Sequence, residues 1–354
     1  MRILHTADIH LKEPSDERWA AFETIVGIAG KSDASVLVIS GDMFDRNAAA
    51  DRLKTAIRDV FRQNPFHVVI IPGNHDDRAL KSGDYLGEKV TVLDESGRFV
   101  DIDRARIIGL PFEKIGEQQV IERLFGVRQH IRPGGVNILL YHGELSDKFF
   151  DREGYGGEDE YHYMPARLSH FDGLGLDYVL AGHFHTKFHL FKFRDGYFVY
   201  PGSPVSITKR ETGRRSIDFF AVGDPPKAEP LDTHHFETIE VRLNPVETGN
   251  AIETIKSRIS SCHEAAKVSL TISGHVDLES IGMSRKQFGN AIDTLKRPNI
   301  AQIDHEWRDV GEILQNDIYK RFADHLEKTQ LSEERKTAIR DLALEAFSEV
   351  AHAD

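Results

Sequence analysis

The chain has 354 residues, with 57 Asp and Glu against 45 Lys and Arg, and a formal net charge of −12 at pH 7. Its one cysteine, Cys262, excludes an intrachain disulfide and favours a reducing compartment. No apolar run approaches the roughly 18 residues that a membrane-spanning helix needs, and the N-terminus shows no signal-peptide pattern. We therefore expect a cytoplasmic globular protein. The acidic balance weakly disfavours DNA, since duplex binding depends on Lys and Arg.

Five short polar blocks each follow an apolar, strand-like run. Val36–Ile39 precedes the second block, Val68–Ile71 the third and Ile138–Leu140 the fourth. In an open α/β sheet, sites form in the crevice beyond the carboxyl ends of the strands, so these blocks are expected to converge. A glycine beside a ligand allows a sharp turn, often with positive φ. In chain order the blocks are Asp8–His10, Gly41–Asp45, Gly73–Asp76, His142 and Gly182–His185.

The side chains of these blocks form a set of oxygen and nitrogen ligands. A carboxylate such as that of Asp42 can bridge two cations, the Asn74 oxygen adds a ligand without charge, and imidazoles suit Mn, Fe, Zn and Ni. Two metals about 3.5–4 Å apart suit in-line attack on a phosphorus ester. Any one block alone is typical of a solvated turn, and only their conjunction indicates a site. The candidate metal ligands are Asp8, His10, Asp42, Asn74, His142, His183 and His185, with His75 left for proton transfer.

The same blocks resemble those of the calcineurin-like metallophosphoesterase superfamily, and within it the DNA repair exonucleases of the SbcD/Mre-eleven type. Met1–Leu11 is similar to that family's His-Thr-(Ser/Ala)-Asp-x-His-Leu start, and Gly41–Asp45 to its Gly-Asp-(Leu/Ile)-Phe block. Pro72–Asp76 matches its Pro-Gly-Asn-His-Asp, and Tyr200–Ser203 resembles its Tyr-Pro-Gly-Ser turn. The resemblance is strong up to residue 220 and only general beyond it.

The resemblance implies a role for each residue of the blocks. His75 and Asp42 are the catalytic residues: His75 would protonate the leaving group or stabilise the transition state, and Asp76 or Asp45 is expected to orient it. Two divalent ions are implied, with Mn preferred and Fe, Zn or Mg as alternatives. One metal would take Asp8, His10, Asp42 and His185, and the other Asp42, Asn74, His142 and His183.

The function that the resemblance implies is metal-dependent phosphodiester hydrolysis, as a DNA exonuclease or endonuclease of repair. The expected partners are DNA, a second copy of the chain and an SMC-like ABC ATPase of the SbcC/Rad type. A small-molecule or cyclic-nucleotide phosphodiesterase or phosphatase on the same fold is the alternative, and a non-catalytic DNA-end-binding scaffold is a third. Residues 41–46 also resemble the phosphoprotein phosphatases, but Asp76 and Asn47 depart from that pattern and favour phosphodiester cleavage.

A group of basic residues and one loop segment are candidates for substrate contact. Basic residues flank the blocks and could form a groove on the acidic body, although most such charges are simply solvated. The segment Leu145–Met164 is rich in Gly, Tyr and Phe and is expected either to face the substrate or to pack on the core. The basic candidates are Arg46, Lys209, Arg210, Arg214 and Arg215.

The order of elements predicts an α/β (α+β) fold, a four-layer sandwich of two mixed β-sheets flanked by helices. Periodicity places helices around Arg18–Ala29 and Asp51–Gln63. We expect the nuclease core over residues 1–223, then a Pro-rich linker at 223–230. A small α+β capping domain should occupy residues 224–306, and a C-terminal helical segment residues 307–354.

Overall fold

The computed structural model describes residues 1–147, 163–245 and 251–351, the last three of these by their backbone only. Most of the predicted substrate-facing segment, residues 148–162, lies outside the described residues. The chain forms two compact units, Met1–Phe236 and Glu237–Asp354. No described helix is both long enough and apolar enough to cross a membrane.

The first sheet of the larger unit contains the early strand-like runs. Its centre is parallel, from β1 (Arg2–Thr6) through β2 (Val36–Ser40) and β3 (His67–Ile71) to β4 (Val90–Val92), and β11 (Ser216–Ala221) pairs antiparallel with β1. Near-continuous apolar runs such as Val36–Ser40 are typical of parallel strands covered on both faces. In spatial order its six strands are β12 (Ala228–Pro230), β11 (Ser216–Ala221), β1 (Arg2–Thr6), β2 (Val36–Ser40), β3 (His67–Ile71) and β4 (Val90–Val92).

The second sheet of this unit is also mixed. Its four inner strands run parallel, and its two edge strands are antiparallel to their neighbours. In spatial order its strands are β5 (Phe99–Ile102), β6 (Ala105–Leu110), β7 (Val136–His142), β8 (Tyr178–Gly182), β10 (Tyr197–Tyr200) and β9 (His189–Lys192).

Three hydrophobic layers hold this unit together. Alternate side chains of the two sheets, such as Val38 and Leu140, pack against each other between the sheets. The opposite face of the first sheet is covered by the helices α1 (Glu17–Lys31) and α2 (Asn47–Phe61), and that of the second by α3 (Glu117–Val127). The predicted sandwich of two mixed sheets flanked by helices is therefore confirmed.

The predicted linker contains a short β-strand. Within residues 223–230, Ala228–Pro230 forms an edge strand whose residues pair with Ser216–Asp218 of β11. An edge strand tolerates proline because one row of its N–H groups needs no partner in the sheet. The division between the two compact units falls after Phe236.

The smaller unit is an α+β arrangement followed by helices. Its sheet has the order β13 (His235–Leu243), β14 (Ala266–Val276) and β15 (Ile300–Asp309), and β13 begins just before the division. Apolar side chains of this sheet pack with Ile255 and Phe288 in a separate core. The helices are α4 (Ala251–Ser260), α5 (Arg285–Asp293), α6 (Gly311–Gln315), α7 (Asp317–Glu327) and α8 (Glu333–Ala351).

Candidate metal centre

The ligand-bearing loops adopt a backbone conformation that L-residues rarely use. Asp8 (φ 55°), His10 (φ 53°), Asp42 (φ 49°) and His183 (φ 99°) all lie at positive φ. Such conformations persist only where the surroundings over-determine them, and they cluster at functional sites. Here the Asp8 N–H donates to the Gly41 carbonyl at 3.1 Å, and the His10 N–H to the Asp42 carbonyl at 3.0 Å. The first two loops therefore fix one another.

Glycines allow the loops to approach each other closely. Gly41 has φ 95°, and a Cβ at this position would overlap the imidazole of His142. A Cβ at Gly73 would overlap the carboxylate of Asp42, and one at Gly182 would overlap the Ser40 carbonyl. Only Gly41 supplies the positive φ expected beside a ligand. The other two are required because there is no room for a side chain.

Four predicted ligands of the first metal form one buried cluster. One ligand atom from each of Asp8, His10, Asp42 and His185 lies within 4.8 Å of all the others. His10 Nε2 is 3.3 Å from His185 Nε2 and 3.8 Å from Asp42 Oδ2. These atoms come from three loops that are far apart in the sequence, so the fold brings together what the sequence separates.

The predicted ligands of the second metal lie against the same Asp42 carboxylate. His142 Nε2 is 3.4 Å from Asp42 Oδ2 and 3.0 Å from Asn74 Oδ1. The rings of His142 and His183 are 5.5 Å apart and nearly perpendicular. The His183 main-chain N–H donates to the Asp8 carboxylate at 3.0 Å. Asp42 thus stands between the two groups of ligands, as a bridging carboxylate would.

One buried atom indicates that this centre suits a cation. Asp42 Oδ2 is buried and accepts no hydrogen bond within the described part of the chain, although imidazole nitrogens of His10 and His142 lie within 4 Å. A buried carboxylate oxygen without a hydrogen bond is costly, and a metal ion satisfies it. His142 Nδ1 donates to the Ser40 carbonyl at 2.8 Å, which directs Nε2 towards Asp42.

The electrostatics of the cluster reflect crowded charges of both signs. Burial raises the pKa of Asp8 to about 6. Burial alone would also raise the pKa of Asp42, but His142 and His10 outweigh it, and the pKa of Asp42 lies below its usual range. Burial alone would lower the pKa of His142, yet Asp42 and Asp8 raise it to about 9.

His75 lies at the edge of this cluster. Its ring centroid is 4.7 Å from that of His10, and its main-chain N–H donates to Asp42 Oδ1 at 2.9 Å. Its Nδ1 is 2.9 Å from the Asp45 carbonyl, so Nδ1 carries the hydrogen and Nε2 is the atom that gains or loses a proton. Asp45 orients His75 through its main chain.

The Asp76 carboxylate connects two of the ligand-bearing loops. It accepts from the Gly73 N–H at 2.7 Å and from the Phe44 N–H at 3.0 Å. It thereby ties the second and third loops together. Burial and the nearby Asp42 charge raise the pKa of Asp76 to about 7.

Three supporting residues were not predicted from the sequence. Glu211 is fully buried, and its Oε1 lies 3.5 Å from His185 Nδ1. Arg18 donates to the His10 carbonyl at 2.7 Å and to Asp45 Oδ1 at 2.6 Å. Ser40 joins the strands by donating its hydroxyl to the Leu180 carbonyl at 2.9 Å. None of them has a local sequence signal, because their partners lie between 8 and 140 residues away along the chain.

The five basic residues that were predicted to contact substrate have different environments in the structure. Arg46, Lys209, Arg210 and Arg214 are exposed, and Arg214 also pairs with Asp232. Arg215 is only 2% exposed, and its guanidinium donates to the carbonyls of His185, Thr186 and Ser203. The structure therefore corrects the expectation that Arg215 contacts substrate. The guanidinium of Arg215 is buried and donates its hydrogen bonds to the backbone around His185.

Comparison with known proteins agrees with this geometry. Residues 1–187, more than half of the chain, match the family model described as calcineurin-like phosphoesterase. The chain therefore belongs to the calcineurin-like phosphoesterase family and is a metal-dependent phosphoesterase, which confirms the resemblance seen in the motifs. The family uses a binuclear metal site, and the buried cluster around Asp42 fits one.

A curated relative extends the likeness beyond this domain. The DNA double-strand break repair protein Mre11 of Archaeoglobus fulgidus is 22% identical over 366 aligned residues, which cover 94% of this chain and 77% of that protein.

Solved structures with similarity include TT1561 of Thermus thermophilus, which is 14% identical with a TM-score of 0.40 over 61% of this chain and 92% of that one. A dimetal phosphatase from Danio rerio is 11% identical with a TM-score of 0.40 over 62% and 91%. GAP50, the anchor in the inner membrane complex of Plasmodium, is 11% identical with a TM-score of 0.42 over 72% and 93%.

Proposed function

We propose that this protein is a DNA phosphodiesterase, a nuclease of DNA repair with two divalent metal ions, Mn²⁺ by preference. The observation that carries the proposal is the position of Asp42. Its carboxylate lies between His10 and His142 at 3.8 and 3.4 Å, and it accepts the main-chain N–H of His75. One residue thus links both candidate metal positions to the candidate proton donor.

The chain's own residues have distinct tasks in this proposal. When bound, divalent cations polarise a phosphoryl oxygen and lower the pKa of water. Asp8, His10, Asp42 and His185 would hold one ion, and Asp42, Asn74, His142 and His183 the other. His75, whose Nδ1–H is anchored on the Asp45 carbonyl, would deliver a proton from Nε2 to the leaving oxygen.

Support for DNA as the substrate comes from the extent of the similarity. The Archaeoglobus fulgidus protein is named for DNA double-strand break repair, and the similarity covers 94% of this chain, including the unit after Phe236. By the same similarity we propose a capping role for that unit, a homodimer and an SMC-like ABC ATPase partner. Exposed Arg46, Lys209 and Arg210 would contact the phosphate backbone.

A second candidate is a phosphodiesterase for small or cyclic substrates. The observation that favours it is charge. The chain carries −12, Arg214 is paired with Asp232 at the surface, and Arg215 is buried against backbone carbonyls. Fewer free cations near the site would weaken binding to a polyanion. A small diester needs only the metals and His75.

The deciding experiment is cleavage of end-labelled duplex and single-stranded DNA with Mn²⁺, alongside hydrolysis of bis(p-nitrophenyl) phosphate. His75→Ala is the test variant. His67→Ala is the matched control, because His67 is exposed at the start of β3, at the opposite end of that strand from the site. DNA cleavage that is lost in His75→Ala alone supports the nuclease. Hydrolysis of the small ester without DNA cleavage would favour the second candidate.

A further inference from the structure

A cavity of about 470 Å³ opens where the two sheets of the larger unit come together. Its walls come from the segments that follow β4 and β6, including Asp94, Phe112 and Glu113. Crevices beyond the carboxyl ends of strands are where α/β sheets bind ligands, and this volume falls in the range of small-molecule pockets. None of the roles assigned above uses it.

The cavity is joined to the metal centre by the backbone and by aromatic rings. The Phe112 N–H donates to the Pro72 carbonyl at 3.1 Å, and Pro72 directly precedes the loop of Asn74 and His75. The Phe112 ring lies 5.8 Å from that of Tyr163, which lies 5.0 Å from the imidazole of His183. The cavity is therefore connected to the second group of candidate ligands through two successive ring contacts, Phe112 to Tyr163 and Tyr163 to His183.

The two carboxylates in the cavity wall, Glu113 and Asp94, differ in their hydrogen bonding. Glu113 is satisfied, because Arg123 pairs with it at 2.9 Å and the Ser96 hydroxyl donates to it at 2.5 Å. The Asp94 side chain is only 10% exposed, and its buried Oδ1 accepts no hydrogen bond from any described residue. Arg98 Nε stands 3.8 Å from that oxygen, beyond hydrogen-bonding distance. Asp94 is thus a nine-tenths buried carboxylate, and the exposed tenth of its side chain is the part that a group in the cavity can reach.

These walls favour an uncharged, planar ligand that donates hydrogen bonds. Carboxylates repel phosphate, so a phosphate group is disfavoured here. The half-buried Phe112 ring is an aromatic side chain on which a base could stack. A carboxylate acceptor complements the donors on a base edge. Guanine presents two adjacent donors on its pairing edge, N1–H and N2–H, whereas thymine presents only N3–H.

We propose that this cavity binds an unpaired nucleobase of the substrate, guanine in preference to thymine, stacked on Phe112 and held by the Asp94 carboxylate. The inference deepens the proposed nuclease function and rests on it for the identity of the ligand. Binding one flipped base in this cavity would set the register of the backbone. It would also favour ends with unpaired nucleotides over blunt duplex.

The first test is equilibrium binding of guanosine and thymidine to the full chain by isothermal titration. Neither nucleoside carries a phosphate, so the metal centre contributes nothing to the difference. We expect guanosine to bind roughly tenfold more tightly than thymidine, as one extra hydrogen bond to a charged acceptor allows. In Asp94→Asn the two nucleosides should bind about equally. Equal binding of the two nucleosides to the wild-type chain would overturn the proposal.

Methylguanidine is the second probe, because a protein partner's arginine would suit the same carboxylate. Tighter binding of methylguanidine than of guanosine would also overturn the nucleobase assignment. Phe125→Leu and Asp103→Asn are matched controls, since both residues are exposed and outside the cavity. They should keep the guanosine preference that Phe112→Leu and Asp94→Asn lose.

The second test is cleavage of single-stranded oligonucleotides of guanine or thymine under Mn²⁺, read as the ratio of their kcat/KM values. Asp94→Asn should bring this ratio towards one. General damage would lower both values equally and leave the ratio unchanged, which would overturn the proposal. If no DNA is cut while guanosine still binds through Asp94, the nuclease proposal fails and the cavity stands as a nucleobase site.

Discussion

Glu211 Oε1 lies 3.5 Å from Nδ1 of His185, while the other ring nitrogen of His185 faces His10 across 3.3 Å. The carboxylate is held in turn by the Ile207 N–H at 2.8 Å and the Thr208 N–H at 3.2 Å. These contacts, led by that of His185, overcome the effect of burial and lower the pKa of Glu211 to about 2. An ionised Glu211 therefore fixes the tautomer of His185 that leaves Nε2 for a metal.

Removing the Glu211 charge should weaken metal binding without removing a ligand. In Glu211→Gln we expect Mn²⁺ affinity to fall about 10- to 100-fold, the usual effect of losing an outer-shell partner. Isothermal titration with Mn²⁺ measures it. Glu88→Gln, at an exposed position, is the control and should bind Mn²⁺ like the wild type. Unchanged affinity in Glu211→Gln would show that His185 needs no carboxylate.

A methyl group at Gly73 should disrupt the centre sterically. Its Cβ would overlap Asp42 Oδ1, which sits in a fully buried, closely packed loop. We expect Gly73→Ala to lower the free energy of unfolding by about 1–3 kcal/mol, as overpacking does, and to weaken Mn²⁺ binding. Urea denaturation measures the stability change.

Gly83→Ala is the matched control for that substitution. No described atom lies within 4 Å of a Cβ at Gly83, and its φ is not positive. It should leave stability within about 0.5 kcal/mol of the wild type, as for most surface changes. A similar loss in both variants would mean that the Asp42 overlap is relieved by small shifts.

The sequence predicted the sandwich and the strand-end loops because both depend on local signals. Apolar runs identify buried strands, and polar residues after them identify the edge where loops gather. Positive φ at Asp8, His10 and Asp42 was not predicted, because glycines were expected to take such conformations. Backbone hydrogen bonds between the loops impose it instead, and those bonds exist only after folding.

The missed contacts depend on distance along the chain rather than on pattern. Glu211 and Arg215 act on His185 across more than twenty residues, and no periodicity connects them. In the sequence, Arg215 is equivalent to its exposed neighbour Arg214. Only the fold shows that three carbonyls hold the guanidinium of Arg215 inside the protein.

Removing the His75 imidazole should separate chemistry from metal binding. We expect His75→Ala to lower kcat about 10²- to 10⁴-fold, the usual contribution of a general acid. Mn²⁺ affinity should change little, because Asp42 receives only the main-chain N–H of residue 75. Steady-state hydrolysis of bis(p-nitrophenyl) phosphate and Mn²⁺ titration supply the two readouts. A large loss of Mn²⁺ affinity would instead make His75 a ligand.

Acid should destabilise the protein partly through His189. Burial, aided by the charge of Lys187, lowers the pKa of His189 to about 4, against 6.5 for the free side chain. Between these two pH values His189 is protonated in the unfolded chain and neutral in the folded chain. The free energy of unfolding therefore falls as the pH drops from 6.5 to 4. His189→Asn should reduce this loss by about 1 kcal/mol or less, since the ring is partly solvated. Urea denaturation at several pH values measures it, and parallel pH profiles for both proteins would contradict it.

Metal should stabilise the fold, because its ligands come from loops that have no fixed arrangement in the unfolded chain. A ligand that binds only the native state adds about 2.7 kcal/mol at a concentration one hundred times its Kd. We expect Mn²⁺ to raise Tm and EDTA to lower it, by scanning calorimetry. Asp42→Asn should abolish most of the Mn²⁺ effect, because it removes the charge shared by both groups of ligands. An equal Mn²⁺ shift in Asp42→Asn would place the stabilising ion elsewhere in the protein.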